Sequence, residues 1–136
     1  MRVVLDSNVV VAAFAARGIC SALFEYCVEN REVVLCEEMV QEIERALVRK
    51  VGVPRAVARD VVAYLRDHAK TVEPEGIDAD VCRDKSDLAI LGAAVGAGCE
   101  YIITGDADLL TIGKYRGVKI VSPRVYWEKM RRGKRR

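Results

Sequence analysis

The chain is expected to fold as an α/β domain whose mainly parallel sheet is covered by helices on both faces. Three observations lead there. Val3-Val4-Leu5, Val33-Val34-Leu35-Cys36 and Tyr101-Ile102-Ile103 are apolar throughout rather than alternating, the pattern of strands buried on both faces. Between them, apolar residues recur at helical spacing. The chain's 136 residues, 51% hydrophobic and 31% charged, suit one core rather than several or none.

The elements follow in order. Val3-Val4-Leu5 is the first strand. Residues 19–29 carry Ile19, Leu23, Phe24, Cys27 and Val28 on one helical face, and residues 33–36 form the second strand. A helix is predicted over 37–50 with Met39, Val40, Ile43 and Leu47 inward. Another follows over 54–69, with Pro54 in its first turn and Val57, Val61, Val62 and Leu65 inward. Thr71-Val72 makes a short strand, 73–83 an acidic loop, and 86–97 a helix rich in small residues that stops at Gly98. Residues 100–104 form a strand, Asp106 to Leu110 a turn or short helix, Val118 to Val121 the last strand, and 123–130 a closing helix. Prolines stand only at 54, 74 and 123, each where an element begins or ends.

The formal charge of +2 conceals a split. Six of the last eight residues, Lys129, Arg131, Arg132, Lys134, Arg135 and Arg136, are basic, which leaves 16 basic against 20 acidic residues in 1–128, a net of −4. The expected division is a domain over 1–128 and a flexible basic tail over 129–136, with Arg131, Arg132, Lys134, Arg135 and Arg136 as candidate nucleic-acid contacts. Five cysteines without a C-x-x-C pair suggest neither a zinc knuckle nor a secreted disulfide framework. A single histidine, His68, leaves little for a Cys-His dyad or a Ser-His-Asp triad. No apolar run reaches the roughly 18 residues of a membrane span and no signal segment opens the chain, so a cytoplasmic location and no membrane partner are expected.

In parallel sheets, ligands bind beyond the carboxyl ends of the strands, where the strand order reverses. The first strand runs directly into Asp6-Ser7-Asn8, and the strand over 100–104 into Thr104-Gly105-Asp106-Ala107-Asp108. A helix cap or turn would explain one such acid, but two polar exits in one register bring their carboxylates to one crevice. On the 37–50 helix, Glu42 borders the apolar face, whereas Glu37 and Glu38 suit the first turn of a helix dipole. At the start of the 86–97 helix stand Asp84, Ser86 and Asp87. One of them is the cap, and Asp87 is the site candidate because it directly precedes Leu88-Ala89-Ile90-Leu91, which must press on the sheet.

At 5–6 Å and an effective dielectric of about 20, each pair of carboxylates repels by roughly 3 kcal/mol, so four in one pocket must bind protons, basic groups or cations. Oxygen ligands without histidine or cysteine favour Mg²⁺ or Mn²⁺ over zinc. Such ions activate water and stabilise the leaving oxygen of a phosphodiester.

Asp6-Ser7-Asn8, Glu42, the segment Cys82-Arg83-Asp84 leading to Asp87-Leu88-Ala89-Ile90-Leu91, and Thr104-Gly105-Asp106-Ala107-Asp108-Leu109-Leu110 together resemble the PIN-domain ribonucleases, in order and over about residues 2–128. Within that family the likeness is to the small prokaryotic toxins of toxin–antitoxin pairs. Ser7 stands where Thr is usual, and Lys85-Ser86 where relatives often carry Pro and further acids. The resemblance implies a PIN-like three-layer fold with about five strands. It implies a metal-dependent endoribonuclease using Mg²⁺ or Mn²⁺, with Asp6, Glu42, Asp87 and Asp106 as catalytic and metal-binding acids. Asp108 and Asp84 would be auxiliary, and Asn8 and Thr104 would hydrogen-bond the carboxylates or metal waters. The implied partners are an RNA substrate, a cognate antitoxin and a second copy of the chain in a homodimer.

Other readings fit less well. A phosphatase of the haloacid dehalogenase type needs a general acid two residues after its first Asp, and Asn8 cannot exchange a proton there. A response-regulator receiver needs its acceptor Asp after a mid-chain strand, where residues 50–60 read as helix. A Rossmann nucleotide site lacks its glycine-rich turn. A non-catalytic PIN-like binding module and a housekeeping RNA-processing nuclease stand as the alternatives.

Overall fold

The computed structural model describes residues 1–134. Arg135 and Arg136, two of the expected nucleic-acid contacts, lie outside the described residues, as does the side chain of Lys134. Strands β1 (Arg2–Leu5), β2 (Glu32–Leu35), β3 (Ala69–Thr71), β4 (Tyr101–Ile103), β5 (Lys114–Tyr115) and β6 (Val118–Val121) make one sheet. Their order is β3-β2-β1-β4-β6-β5, parallel throughout except for the β5–β6 pair. The helices are α1 (Ser7–Ala15), α2 (Ile19–Asn30), α3 (Glu37–Ala46), α4 (Arg55–His68), α5 (Lys85–Gly96), α6 (Ala107–Ile112) and α7 (Pro123–Lys134). This is the α/β fold expected, with helices flanking a mainly parallel sheet. The sixth strand is the two-residue β5, too short to leave a periodic signal.

From β1 the chain builds outward through β2 to β3, then returns to lay β4 on the other side of β1. The order therefore reverses between β1 and β4, which makes their carboxyl ends the crevice of the sheet. Val3, Val4 and Leu5 have no exposure at all, and α5 lies across β1, β2 and β4, which is why these strands are apolar on both faces. Gly92 on α5 admits this packing: its carbonyl accepts the Glu75 N–H at 3.0 Å, and a Cβ there would lie 2.2 Å from the Glu75 carbonyl oxygen.

Several expectations need correction. Residues 7–15 are helical, although nothing in Val9-Val10-Val11 announces a helix. The 37–50 helix ends at Ala46 and passes into a π-helical turn over Leu47–Val51, after which Gly52 takes a left-handed φ of 85°. Val57 is exposed, and Ala58 is the residue of that turn which enters the core. The closing helix continues past 130 to Lys134. Among the described residues, no single helix is long and apolar enough to cross a membrane.

Candidate active site

The register Leu5↔Ile103 between β1 and β4 sets the residues that follow, Asp6 and Thr104, side by side at the reversal point. The Asp6 N–H donates to the Ile103 carbonyl at 2.9 Å, and the Thr104 N–H to that of Val121 at 3.0 Å, so both residues are held by the sheet. The fully buried Thr104 hydroxyl donates to Asp6 Oδ2 at 2.6 Å and accepts the Asp106 N–H at 2.9 Å. One side chain thus ties Asp6 to the loop that carries Asp106.

Helix capping explains some of these acids and leaves others. Asp106 caps α6, its Oδ2 accepting the Leu109 N–H at 3.0 Å. Asp84 caps α5, its Oδ1 accepting both the N–H and the hydroxyl of Ser86, and these bonds hold its exposed carboxyl below the ordinary range. Asp6 stands at the cap position of α1 but makes no side-chain cap hydrogen bond. The carboxyl of Asp87, in the first turn of α5, makes no hydrogen bond or ion pair among the described residues although only 6% of the residue is exposed.

Carboxylate oxygens of Asp87, Asp106 and Asp108 all lie within 4.8 Å of one another. Burial, reinforced by the charges of Asp106, Asp84, Asp6 and Asp108, pushes the Asp87 carboxyl up to about 6. Burial also raises Asp6, against the opposing pull of the Thr104 hydroxyl. The half-buried Glu42 on α3 is raised by burial and then by Asp6, while Arg45 pulls it down. Glu42 therefore feels Asp6 and Asp84 without belonging to the group of Asp87, Asp106 and Asp108. Asp108 belongs to the tight group and lies 3.8 Å from the Arg83 guanidinium. Asn8 is exposed, and its side chain bonds no carboxylate among the described residues.

The donor set suits a hard divalent cation. It is carboxylate oxygen with no imidazole or thiolate, and one further polar atom points the same way. The Ser7 hydroxyl, next to Asp6 and 1% exposed, is the buried side-chain oxygen left without a hydrogen-bond partner among the described residues.

Other chemistry has no footing here. Burial pushes the thiols of Cys27 and Cys36 up to about 12 and that of Cys99 to about 11, and raises Cys20. Cys82, on the rim of the acid pocket, is raised by burial and by four aspartates. His68 is stacked on the Tyr64 ring at 4.0 Å, with Nδ1 paired to the Tyr64 carbonyl.

The basic end lies elsewhere. Lys129 sits 5.3 Å over the ring of Tyr101, the first residue of β4, and Met130 receives the Arg31 guanidinium just before β2. Arg131 and Arg132 are exposed on the same helix. This end of α7 is at the amino ends of the strands, across the sheet from the acids. Besides Arg83 at Asp108, the positive charges that bear on the acids are Arg45 and Lys50, through Glu42. Sequence reading missed these two because they are ordinary surface residues until α3 is placed beside the strand ends.

A profile of the PIN domain matches residues 2–108. No curated protein sequence matches the chain. Among solved structures, the fold is similar to a chain in the crystal structure of VapBC2 from Rickettsia felis bound to a DNA fragment from their promoter, with a TM-score of 0.63 and 10% identity over 90% of this chain and 98% of that one. PAE2754 from Pyrobaculum aerophilum is similar with a TM-score of 0.64 and 18% identity, over 95% of this chain and 88% of that one.

Proposed function

We propose, from the premise that this chain belongs to the PIN-domain family, that it is an endoribonuclease hydrolysing RNA phosphodiester bonds with Mg²⁺ or Mn²⁺, and the toxin of a toxin–antitoxin pair. Asp6, Glu42, Asp87 and Asp106 would hold the cation, with Asp108 beside them. The observation that carries the reading is the convergence of Asp87, Asp106 and Asp108 within 4.8 Å, one hydroxyl away from Asp6. At that spacing and an effective dielectric of about 20, each ionised pair repels by roughly 3.5 kcal/mol, a strain that a divalent charge relieves.

When bound, such a cation makes hydroxide available near neutral pH and stabilises the charge that develops on the leaving oxygen. The protein's part is positioning. Thr104 fixes the rotamer of Asp6. The Leu109 N–H occupies Asp106 Oδ2 and leaves Oδ1 without a hydrogen bond among the described residues. Asp84 stiffens the first turn of α5, from which Asp87 projects. The likeness of the fold to a VapBC2 chain supports an antitoxin protein as partner, and a homodimer is proposed with it.

The test is cleavage of single-stranded RNA by the purified full chain in Mg²⁺ or Mn²⁺ and in EDTA. Cleavage in either metal and none in EDTA is the expected result. Equal cleavage in all buffers, or none in any, contradicts the reading.

A further inference from the structure

A second charged feature lies beside the acid pocket and has no role in the function proposed above. The π-helical turn over Leu47–Val51 and the left-handed Gly52 fold the chain back on itself, with the N–H groups of Gly52 and Val53 both donating to the Leu47 carbonyl at 3.0 and 3.1 Å. Arg45 and Arg49 stand four residues apart on one limb of this hairpin, and Arg55 and Arg59 four apart on the other. The four line a cleft of about 280 Å³ floored by Val48 and Ala58, with Glu44 as the one acid on its wall.

None of the four guanidinium groups makes a hydrogen bond or ion pair among the described residues, and all four residues are exposed. Three other arginines are held by acids. Arg66 forms a two-pronged pair with Glu37, Arg2 pairs with Glu32 and Arg116 with Glu75. Four unpaired guanidinium groups around one cleft repel one another. The cost is relieved by an anion from outside, and the planar guanidinium fork matches phosphate two oxygens at a time.

The position of the cleft selects among anions. Arg45 follows Glu42 by three residues on α3, within one turn of the acid pocket, and Arg49 extends the line by about 6 Å of helical rise. A small anion would need one or two of these groups. A strand whose scissile phosphate lies at the acids, and whose next phosphates run beside α3, meets all four.

We propose that the cleft lined by Arg45, Arg49, Arg55 and Arg59 is a track for the phosphate backbone of the RNA, gripping the strand beyond the acid pocket without reading its bases. The proposal rests on the reading of the chain as an RNA nuclease. Its ligand is a single-stranded polyanion, and its contribution is sequence-independent affinity that weakens with salt.

The experiment is fluorescence anisotropy of an end-labelled single-stranded RNA with the full chain in EDTA, which keeps the strand intact, across about 50 to 200 mM salt. Wild type is compared with a chain carrying Arg45→Gln, Arg49→Gln, Arg55→Gln and Arg59→Gln. The pairs Arg45→Gln/Arg49→Gln and Arg55→Gln/Arg59→Gln serve if the fourfold variant melts early. The fourfold variant is expected to bind about tenfold or more weakly, with the log K against log salt slope shallower by up to about 3, near 0.7 for each phosphate lost. Each pair should account for part of that change. Unchanged affinity and slope overturn the track. So does a variant that keeps RNA binding but loses affinity for polyglutamate, which would make the cleft a seat for an acidic protein segment. Metal-dependent cleavage by wild type, run in parallel, separates the two failures: cleavage with an unchanged slope removes only the track, whereas neither binding nor cleavage removes both readings.

Discussion

The Thr104 hydroxyl donates a 2.6 Å hydrogen bond to Asp6 Oδ2 and joins the carboxyl end of β4 to that of β1. The same oxygen accepts the Asp106 N–H. A single buried side chain therefore sets the spacing of two acids that are 100 residues apart in the sequence. Thr104→Val keeps the shape and removes the bonds. Cleavage rate or Mn²⁺ affinity should fall about 10- to 100-fold, as when the partners of metal ligands are removed, and stability by about 1–3 kcal/mol, because the Asp6 carboxyl stays buried. Thr104→Ser should recover most of both. Manganese titration and thermal melting of the two variants check this.

The Asp87 carboxyl, raised from an ordinary value of 3.8 to about 6, makes the metal-free protein less stable as pH rises. Between those values the native state binds the proton more tightly than the unfolded chain. This contribution is therefore lost as pH climbs through 4 to 6 and stays lost above, by up to about 3 kcal/mol. Asp6 and Glu42, raised as well, act with the same sign. In EDTA, Asp87→Asn should melt several degrees above wild type at pH 7 and close to it at pH 4. Added Mg²⁺ or Mn²⁺ should raise the wild-type midpoint more at pH 7 than at pH 5, since protons compete for the same oxygens. A wild type whose metal-free stability rises steadily from pH 4 to 7 would refute this.

Gly92 and Gly96 lie one turn apart on α5 and differ sharply in what a methyl group would meet. At Gly92 it meets the Glu75 carbonyl oxygen at 2.2 Å, and at Gly96 nothing nearer than 3.5 Å. Gly92→Ala should cost about 1–3 kcal/mol by pushing the loop off the helix, while Gly96→Ala should be close to neutral. Denaturant melts of the two variants measure the difference directly.

The strand-end acids were legible because each follows a run too apolar to be anything but a doubly covered strand, and parallel sheets gather such ends. Their grouping was less so. That Asp108 joins Asp87 and Asp106 while Glu42 does not depends on how α5, α6 and α3 approach the crevice, which no local pattern records. The helix over residues 7–15 was hidden by Val9-Val10-Val11, β-branched residues of modest helix propensity whose conformation is decided by packing against α2 and α3. Val57 reads as core from its apolar side chain, but the packing of α4 turns the smaller Ala58 inward, which no local pattern records. The arginine cleft escaped notice for the same reason: its two pairs belong to different helices and meet only through the π-helical turn.

The central claim is that these acids hydrolyse RNA with a bound divalent cation, and Asp6→Asn tests it most directly because Asp6 is held by the sheet on one side and by Thr104 on the other. Single-turnover cleavage of RNA by wild type and Asp6→Asn should be followed in Mn²⁺, with circular dichroism and melting to show that both are folded. The predicted result is cleavage by wild type and a loss of about 10³-fold or more in a folded Asp6→Asn. Equal rates for the two folded proteins would contradict the account.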